Sequence, residues 1–374
     1  MARYFLIAGE ASGDRHAAEL IKQIQLREPD AHFAGLGGDR MAATGCHLYQ
    51  DYRRMAFMGF VAVLSNISQV RRNFQIARQA LLDEHPDVLI LIDYPSFNLK
   101  MAEFCKKQLP DTKIIYYVPP KIWAWKSWRV HTIARLCDEV LGIFPFEPAF
   151  YAKYGYNCRY IGNPTAEQMA QIRKPETPTA KTIVILPGSR QFEIQHCLPR
   201  MLAAARQFSD YTITVTAAPG IEDAFYTPFL RKGETLTRDT YNAVQEARAA
   251  IVNSGTATLE TALLGCPQVA VYHLRPAFLI ALIRWAQPLL FSIPYFTLVN
   301  IIAGKEVIKE CIANDFTVEN VTNELHRILT DETYTKNMLA SYEHIRSLLG
   351  DQPAAGTAAS IITNCNPSSQ ATKA

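Results

Sequence analysis

The feature that most constrains this chain is an alternation of short apolar runs with longer amphipathic ones. Tyr4–Ala8, His32–Leu36, Val88–Ile92, Lys113–Val118 and Val140–Phe144 read as strands, and helical patterns such as Ala17–Leu26 and Gln69–Leu82 lie between them. Strand–helix–strand order of this kind argues for parallel, doubly wound α/β sheets. A second series follows at Thr182–Leu186, Thr212–Ala217, Ala249–Val252 and Val269–Tyr272. Between the two series, Asn163–Lys181 is polar and Pro-containing, the composition of a linker. No short period repeats, so the expectation is two similar domains and not a solenoid. At 374 residues the chain is also too long for one ordinary core. The expected division is a Rossmann-like domain over 1–166, a second over 167–349, and a small, polar tail over 350–374. The tail is open to packing back on the first domain, with its last ten residues disordered.

Composition excludes several classes of protein. Lys and Arg number 38 against 35 Asp and Glu, a formal charge of +3, too small for a nucleic-acid binder, so any basic surface is local. The eight cysteines, at 46, 105, 137, 158, 197, 266, 311 and 365, include no C-x-x-C pair. Scattered in apolar company, they read as buried thiols in a reducing compartment and not as a disulfide or zinc framework. The apolar run before Glu10 is too short for a signal-peptide core, which points to the cytoplasm. Residues 276–302 are long enough to span a bilayer and carry only Arg284, but Pro288 and Pro294 interrupt them. They read as buried or cleft-lining segments and not as a span.

In open parallel sheets ligands bind beyond the carboxyl ends of the strands, which singles out three stretches. IAGEASGD (7–14) carries Glu10 and Asp14 past the first strand. LILIDYPSFN (89–98) leaves an apolar strand at Asp93, and ILPGSRQFE (185–193) leaves the first strand of the second half at Gly188-Ser189-Arg190. Ser12, Asp14 and Ser189 also suit plain helix caps. Asp93 is followed by Tyr-Pro rather than a helix start and is not placed for capping, so it reads as functional.

Gly188-Ser189-Arg190 combines free N–H groups at a helix start, a glycine allowing close approach and a guanidinium, the makings of an anion site. Ser254-Gly255-Thr256, where a strand breaks and a helix is expected to begin, is a second. Two such turns suit a diphosphate. Glu260, one turn deeper on the face of Thr256, would repel phosphate but can accept from the vicinal hydroxyls of a ribose. The rival reading makes Thr256 and Glu260 a solvated helix pair. Phosphate at the turn and ribose at the carboxylate spell a nucleotide.

Other ligand classes lack their motifs. No G-x-G-x-x-G follows the first strand, GLGGDR (35–40) has turn spacing, and no G-x-x-x-x-G-K-[ST] exists, which disfavours NAD and excludes a P-loop NTPase. With no D-x-D and no H-x-x-x-H, no metal or cofactor is expected. PPKIWAWKSWRVHTIAR (119–135) interleaves three tryptophans with Lys121, Lys126, Arg129 and Arg135, a pattern that can bind single-stranded nucleic acid. The weak overall charge favours instead a helix with one apolar and one basic face beside a cleft, so no nucleic-acid partner is expected.

AGEASGD (8–14), IDYPSFN (92–98), WAW (123–125), LPGSRQFE (186–193), SGTATLE (254–260) and LVNIIAGKEVIKE (298–310) follow the order found in the lipid-A-disaccharide synthases, and the chain resembles that family over most of its length. It departs at Lys121, where many relatives carry a small or amide residue, and at GNPT (162–165), which replaces a more usual Gly-His-Pro. The resemblance implies a glycosyltransferase of the two-Rossmann-domain, GT-B type, its α/β domains facing a cleft. The second domain would hold UDP-2,3-diacylglucosamine and the first the acceptor, 2,3-diacylglucosamine 1-phosphate. The products would be the β-1,6-linked disaccharide 1-phosphate and UDP, formed with inversion in one displacement. Such a displacement needs a base for the acceptor hydroxyl, and cations and N–H dipoles for the leaving diphosphate. The expected base is Asp93, with Glu10 or Asp14 orienting the acceptor. The expected donor contacts are Gly188, Ser189, Arg190, Ser254, Gly255, Thr256, Glu260 and Asn300. A UDP-sugar 2-epimerase shares the fold and a similar donor half and is the rival enzyme. A non-catalytic nucleotide-sugar-binding module would leave Asp93 and Glu10 without purpose.

Substrates with acyl chains raise the question of membrane contact. In YRRMAFMGFVAVLSNISQVRR (52–72), Val63, Ile67, Val70 and, just beyond, Phe74 fall at helical spacing and suit an ordinary core face. Phe57, Met58, Phe60, Val61 and Leu64 add more apolar surface than one stripe requires, and Arg53-Arg54 and Arg71-Arg72 flank the run. The expectation is a peripheral anchor and acyl-chain entrance lying in the surface of the inner membrane without spanning it.

Overall fold

The computed structural model describes residues 1–55, 67–124, 127–172, 181–273 and 294–365. They fall into two compact units, Met1–Pro164 with Asp351–Ala374, and Thr165–Gly350. The first unit is built on seven parallel strands: β1 Arg3–Ala8, β2 His32–Gly37, β3 His47–Asp51, β4 Val88–Ile92, β5 Lys113–Tyr117, β6 Glu139–Gly142 and β7 Arg159–Tyr160. Their order across the sheet is β3-β2-β1-β4-β5-β6-β7. The second unit has six, β8 Thr182–Leu186, β9 Thr212–Thr216, β10 Thr235–Thr237, β11 Ala249–Asn253, β12 Gln268–Tyr272 and β13 Glu310–Ile312, in the order β10-β9-β8-β11-β12-β13.

The apolar runs have a direct physical cause. Successive side chains of a strand point to opposite faces, and helices cover both faces of a doubly wound sheet. Phe5, Ile7, Leu89, Leu91, Ile114 and Tyr116 enter one buried cluster. Tyr4, Leu6, Ala8, Ile90, Ile92 and Ile115 enter the other. Each central strand is therefore apolar at every position. The tail contributes to this second core: in the helix Ala354–Cys365, Ala358, Ala359 and Ile362 are buried in the same cluster as Leu20 and Ile24 of the helix Ala11–Gln25. Of the last ten residues, Cys365 ends that helix and the others lie outside the described residues.

All nine strands expected from the sequence are present, and they are the interior strands of the two sheets. The four that the sequence did not announce, β3, β7, β10 and β13, are the four edges. Edge strands are half covered, and three of these four have only two or three residues, so they carry no apolar run to read. The first helix starts earlier and ends one residue sooner than expected, at Ala11–Gln25, and the second extends both ways, to Ile67–Glu84. The expected linker is in part a helix, Pro164–Ala170, and residues 173–180 lie outside the described set. All eight cysteines are unpaired thiols, buried or half-buried. Among the described residues no helix is long and apolar enough to cross a membrane. Phe57, Met58, Phe60, Val61 and Leu64, and residues 274–293 with Arg284 and Pro288, lie outside the described residues.

Both sheets reverse their strand order beside the first strand, β1 between β2 and β4, and β8 between β9 and β11. A doubly wound sheet opens its ligand crevice at that switch point.

Candidate active site

In the first unit the switch point brings the turns after β1 and β4 together. Beyond Ile92 the chain passes through Asp93 and Tyr94, both left-handed with φ of 41° and 45°, before the helix Pro95–Gln108. A helix therefore does start behind Asp93, contrary to the sequence reading. Tyr94, not Asp93, holds its N-cap position, without a side-chain cap bond. Val118, just past β5, is left-handed too, with φ of 57°. Such backbone costs about 1–3 kcal/mol per residue and persists only where neighbours enforce it. Here the Asp93 N–H donates to the Val118 carbonyl at 3.0 Å. The Asp93 carbonyl accepts from the Tyr116 hydroxyl and from Asn98 Nδ2, both at 2.7 Å. The Tyr94 hydroxyl donates to the Met55 carbonyl at 2.8 Å. The Tyr94 ring lies against Gly9, where a Cβ would come within 2.3 Å of Cγ, so only glycine lets the two turns approach.

This turn leaves the Asp93 carboxyl half-buried at the carboxyl edge. Burial, and after it the negative charge of Glu10, pushes its pKa from 3.8 up to about 6, while Lys121 and the Tyr94 N–H pull it down. A carboxylate so tuned is ionised at neutral pH yet basic enough to take a proton. Glu10 stands at the N-cap position of Ala11–Gln25 and accepts from the Ser12 hydroxyl.

Asp14, the other residue expected to orient the acceptor, is buried and bonded within the chain. It is 3% exposed and accepts from the Gly38, Met41 and Arg40 amides at 2.8, 3.1 and 3.1 Å, holding the start of the short helix Asp39–Ala42. Trp123 of the aromatic–basic segment is likewise structural. It is buried and donates its indole N–H to Glu147 at 3.1 Å. Burial holds the Glu147 carboxyl up at about 7, against the pull of the Phe144 amide and the indole. Trp125 and Lys126 lie outside the described residues, and Trp128 is exposed.

In the second unit a cavity of about 490 Å³ opens at the carboxyl ends of β9, β8, β11 and β12. Gly188, Ser189 and Arg190 line one side; Ser254, Gly255, Thr256 and Glu260 line the other. Gly188 has φ of 118°, and a Cβ there would come within 2.7 Å of Asn253 Nδ2 and 2.8 Å of Glu193 Oε2, so the turn requires glycine. Arg190 is the N-cap residue of the helix Gln191–Ala205, and Gly255 that of Thr256–Leu263; neither has a side-chain cap bond. The Ser254 N–H donates to the Val271 carbonyl at 2.7 Å, so that amide serves the sheet and not an anion.

Asn300 departs from its expected place. It is fully buried, and the described cavity walls do not include it. Its Oδ1 accepts from the Val307 and Ile308 amides at 2.7 and 3.0 Å, and its Nδ2 donates to the Ile308 carbonyl and Glu310 Oε1, both at 2.9 Å. It staples the helix Leu298–Ala303 to the approach of β13. The sequence reading missed other wall residues: Glu193, Thr216–Pro219 at and beyond the end of β9, Thr240, Asn253 and Tyr272. The rule applied to the first strand of each half would have found the end of β9. Asn253 stood in plain view as the polar residue closing an apolar run. Among the described residues no group of three or more His, Cys, Asp or Glu gathers as a metal site would require.

Two parallel, doubly wound units with polar turns at their switch points define the GT-B fold class. The fold is similar to that of the kitacinnamycin glycotransferase, with a TM-score of 0.61 at 12% identity over 98% of this chain and 99% of that one. It is similar also to the UDP-GlcNAc 2-epimerase of Methanocaldococcus jannaschii, solved with UDP-GlcNAc and UDP, with a TM-score of 0.58 at 12% identity over 97% of this chain and 99% of that one. Likeness at such identities speaks for the fold alone. Sequence separates the two: the lipid-A-disaccharide synthetase family model matches residues 4–361, and the lipid-A-disaccharide synthase of Myxococcus xanthus is 36% identical over 98% of each chain. The chain belongs to the lipid-A-disaccharide synthetase family.

Proposed function

We propose that this glycosyltransferase joins UDP-2,3-diacylglucosamine to the 6-hydroxyl of 2,3-diacylglucosamine 1-phosphate. The observation that carries the reading is Asp93, a carboxylate held on strained backbone at the switch point with its basicity raised. Asp93 takes the proton of the acceptor hydroxyl as that oxygen attacks the anomeric carbon from the face opposite UDP. The bond from the anomeric carbon to the β-phosphate oxygen breaks, and UDP leaves with its electron pair. Inversion gives the β-1,6 linkage without a covalent glycosyl-enzyme. Glu10 keeps Asp93 basic by its charge and orients the acceptor, a role that Asp14 is too engaged to fill. In the second unit Arg190, the amides of its turn and those of Gly255 and Thr256 stabilise the leaving diphosphate, and Glu260 accepts from the ribose hydroxyls.

The reading extends to the membrane. Tyr94 bonds the carbonyl of Met55, so the last described residue before Phe57, Met58, Phe60, Val61 and Leu64 stands beside the Asp93 turn, which supports an acyl-chain entrance there. Arg53 is paired with Asp39 and Asp51, so contact with anionic headgroups belongs to Arg54, Arg71 and Arg72, all exposed. The protein then works at the cytoplasmic face of the inner membrane as a peripheral enzyme. Incubation with the two acylated sugars, together and singly, tests the proposal. UDP should appear only when both are present. Conversion of the UDP-sugar alone would mark an epimerase, and no reaction at all a binding module.

A further inference from the structure

We infer that Glu193 is a built-in competitor for the donor's diphosphate, its carboxylate occupying the anion position at the Gly188–Arg190 turn until a diphosphate displaces it. This rests on the reading of the cavity as the UDP site. Glu193 lies in the first turn of Gln191–Ala205 and lines the cavity. Its Oε2 accepts from the Ser189 N–H at 3.1 Å, and its Oε1 pairs with Arg190 Nη1 at 3.2 Å. Gly188 packs so closely that a Cβ would lie 2.8 Å from the same Oε2. The groups that make this turn an anion site are therefore already held by an anion, one that belongs to the chain itself.

Charge in the cavity makes displacement necessary. Among the described wall residues Arg190 is the one cation, against the carboxylates Glu193 and Glu260. A diphosphate entering with Glu193 in place would meet a neutralised guanidinium and a second negative charge within a few ångströms. The pair is also easy to open. Arg190 is 58% exposed against 19% for Glu193, and an ion pair with one partner so open to water holds weakly. Glu193 can swing to solvent when the diphosphate arrives and return after transfer, loosening the UDP product. The opposite role, Glu193 holding Arg190 in position for the diphosphate, would make its loss weaken binding. The sign of the effect separates the two.

Calorimetric titration of wild type, Glu193→Gln and Glu193→Ala with UDP and with uridine is the test. Gln keeps an acceptor for the Ser189 N–H but loses the charge; Ala removes both and guards against a Gln that refills the position. UDP should bind about five- to tenfold tighter to the Gln variant and at least as tightly to the Ala variant, while uridine changes less than about twofold. UDP binding that is unchanged or weaker in both variants, with wild type binding UDP, would overturn the competitor role alone. Failure of wild type to bind UDP would overturn the donor reading and this inference with it.

Discussion

An Asp93→Asn enzyme should turn over at least ~100-fold more slowly and yet be harder to unfold. The first half follows from the loss of the base, whose contribution is typically about that size or more. The second follows from the cost of holding the charge. The folded protein raises the Asp93 pKa from 3.8 to about 6, so ionisation is penalised in the native state. At about 1.36 kcal/mol per decade this corresponds to ~3 kcal/mol, of which ~1–2 kcal/mol is a fair expectation for a half-buried group. The native state binds the proton more tightly than the unfolded chain, so wild-type stability falls as pH rises between the two values. The gain from Asn is therefore fully present above about pH 6 and disappears as pH falls towards 3.8. Differential scanning calorimetry at pH 8 should place the Asn variant some ~3–6 °C higher, with the difference closing in acid. Steady-state UDP release should show a wild-type acid limb near pH 6. Near-normal turnover would refute the base assignment and move the role to Glu10. A variant that melts lower at pH 8 would refute the account of a carboxylate held against stability.

Glu260→Gln should weaken UDP binding about 10- to 100-fold by calorimetry, the effect of losing a charged hydrogen bond of ~1.5–3 kcal/mol; unchanged affinity would make Glu260 a surface pair. Asn300→Ala strands the Val307 and Ile308 amides and should lower stability by ~2–4 kcal/mol in urea unfolding, while folded protein keeps its UDP affinity within about threefold. An Asn300→Ala protein of normal stability that has lost UDP would restore the donor contact. Replacing Phe57, Met58 and Phe60 together by Ser should leave melting temperature and UDP binding near wild type and reduce co-sedimentation with anionic vesicles. Full sedimentation, or unfolding, would put the membrane contact elsewhere or the segment in the core.

Sequence alone determined the interior of this protein. A strand buried on both faces must be apolar at each position, so β1, β4 or β11 is visible without its neighbours, and the order of such runs dictates two parallel sheets. The ligand edge was visible for the same reason, because Asp93, Gly188 and Ser254 follow apolar runs where a strand must end. Tertiary structure decided which of the polar residues near those ends are open to a ligand. Asp14 and Glu10 lie four apart on one turn and look interchangeable in the sequence, yet the amides of residues 38–41, brought in by β2, engage one carboxylate and leave the other beside Asp93. Asn300 is drawn inward by the amides of 307 and 308, and Glu193 turns back onto the anion site one turn before it. Apolar burial is a sum over many residues and leaves a pattern in the chain. A hydrogen-bond partner is a single atom whose place is fixed only when distant segments have packed, and no local pattern records it.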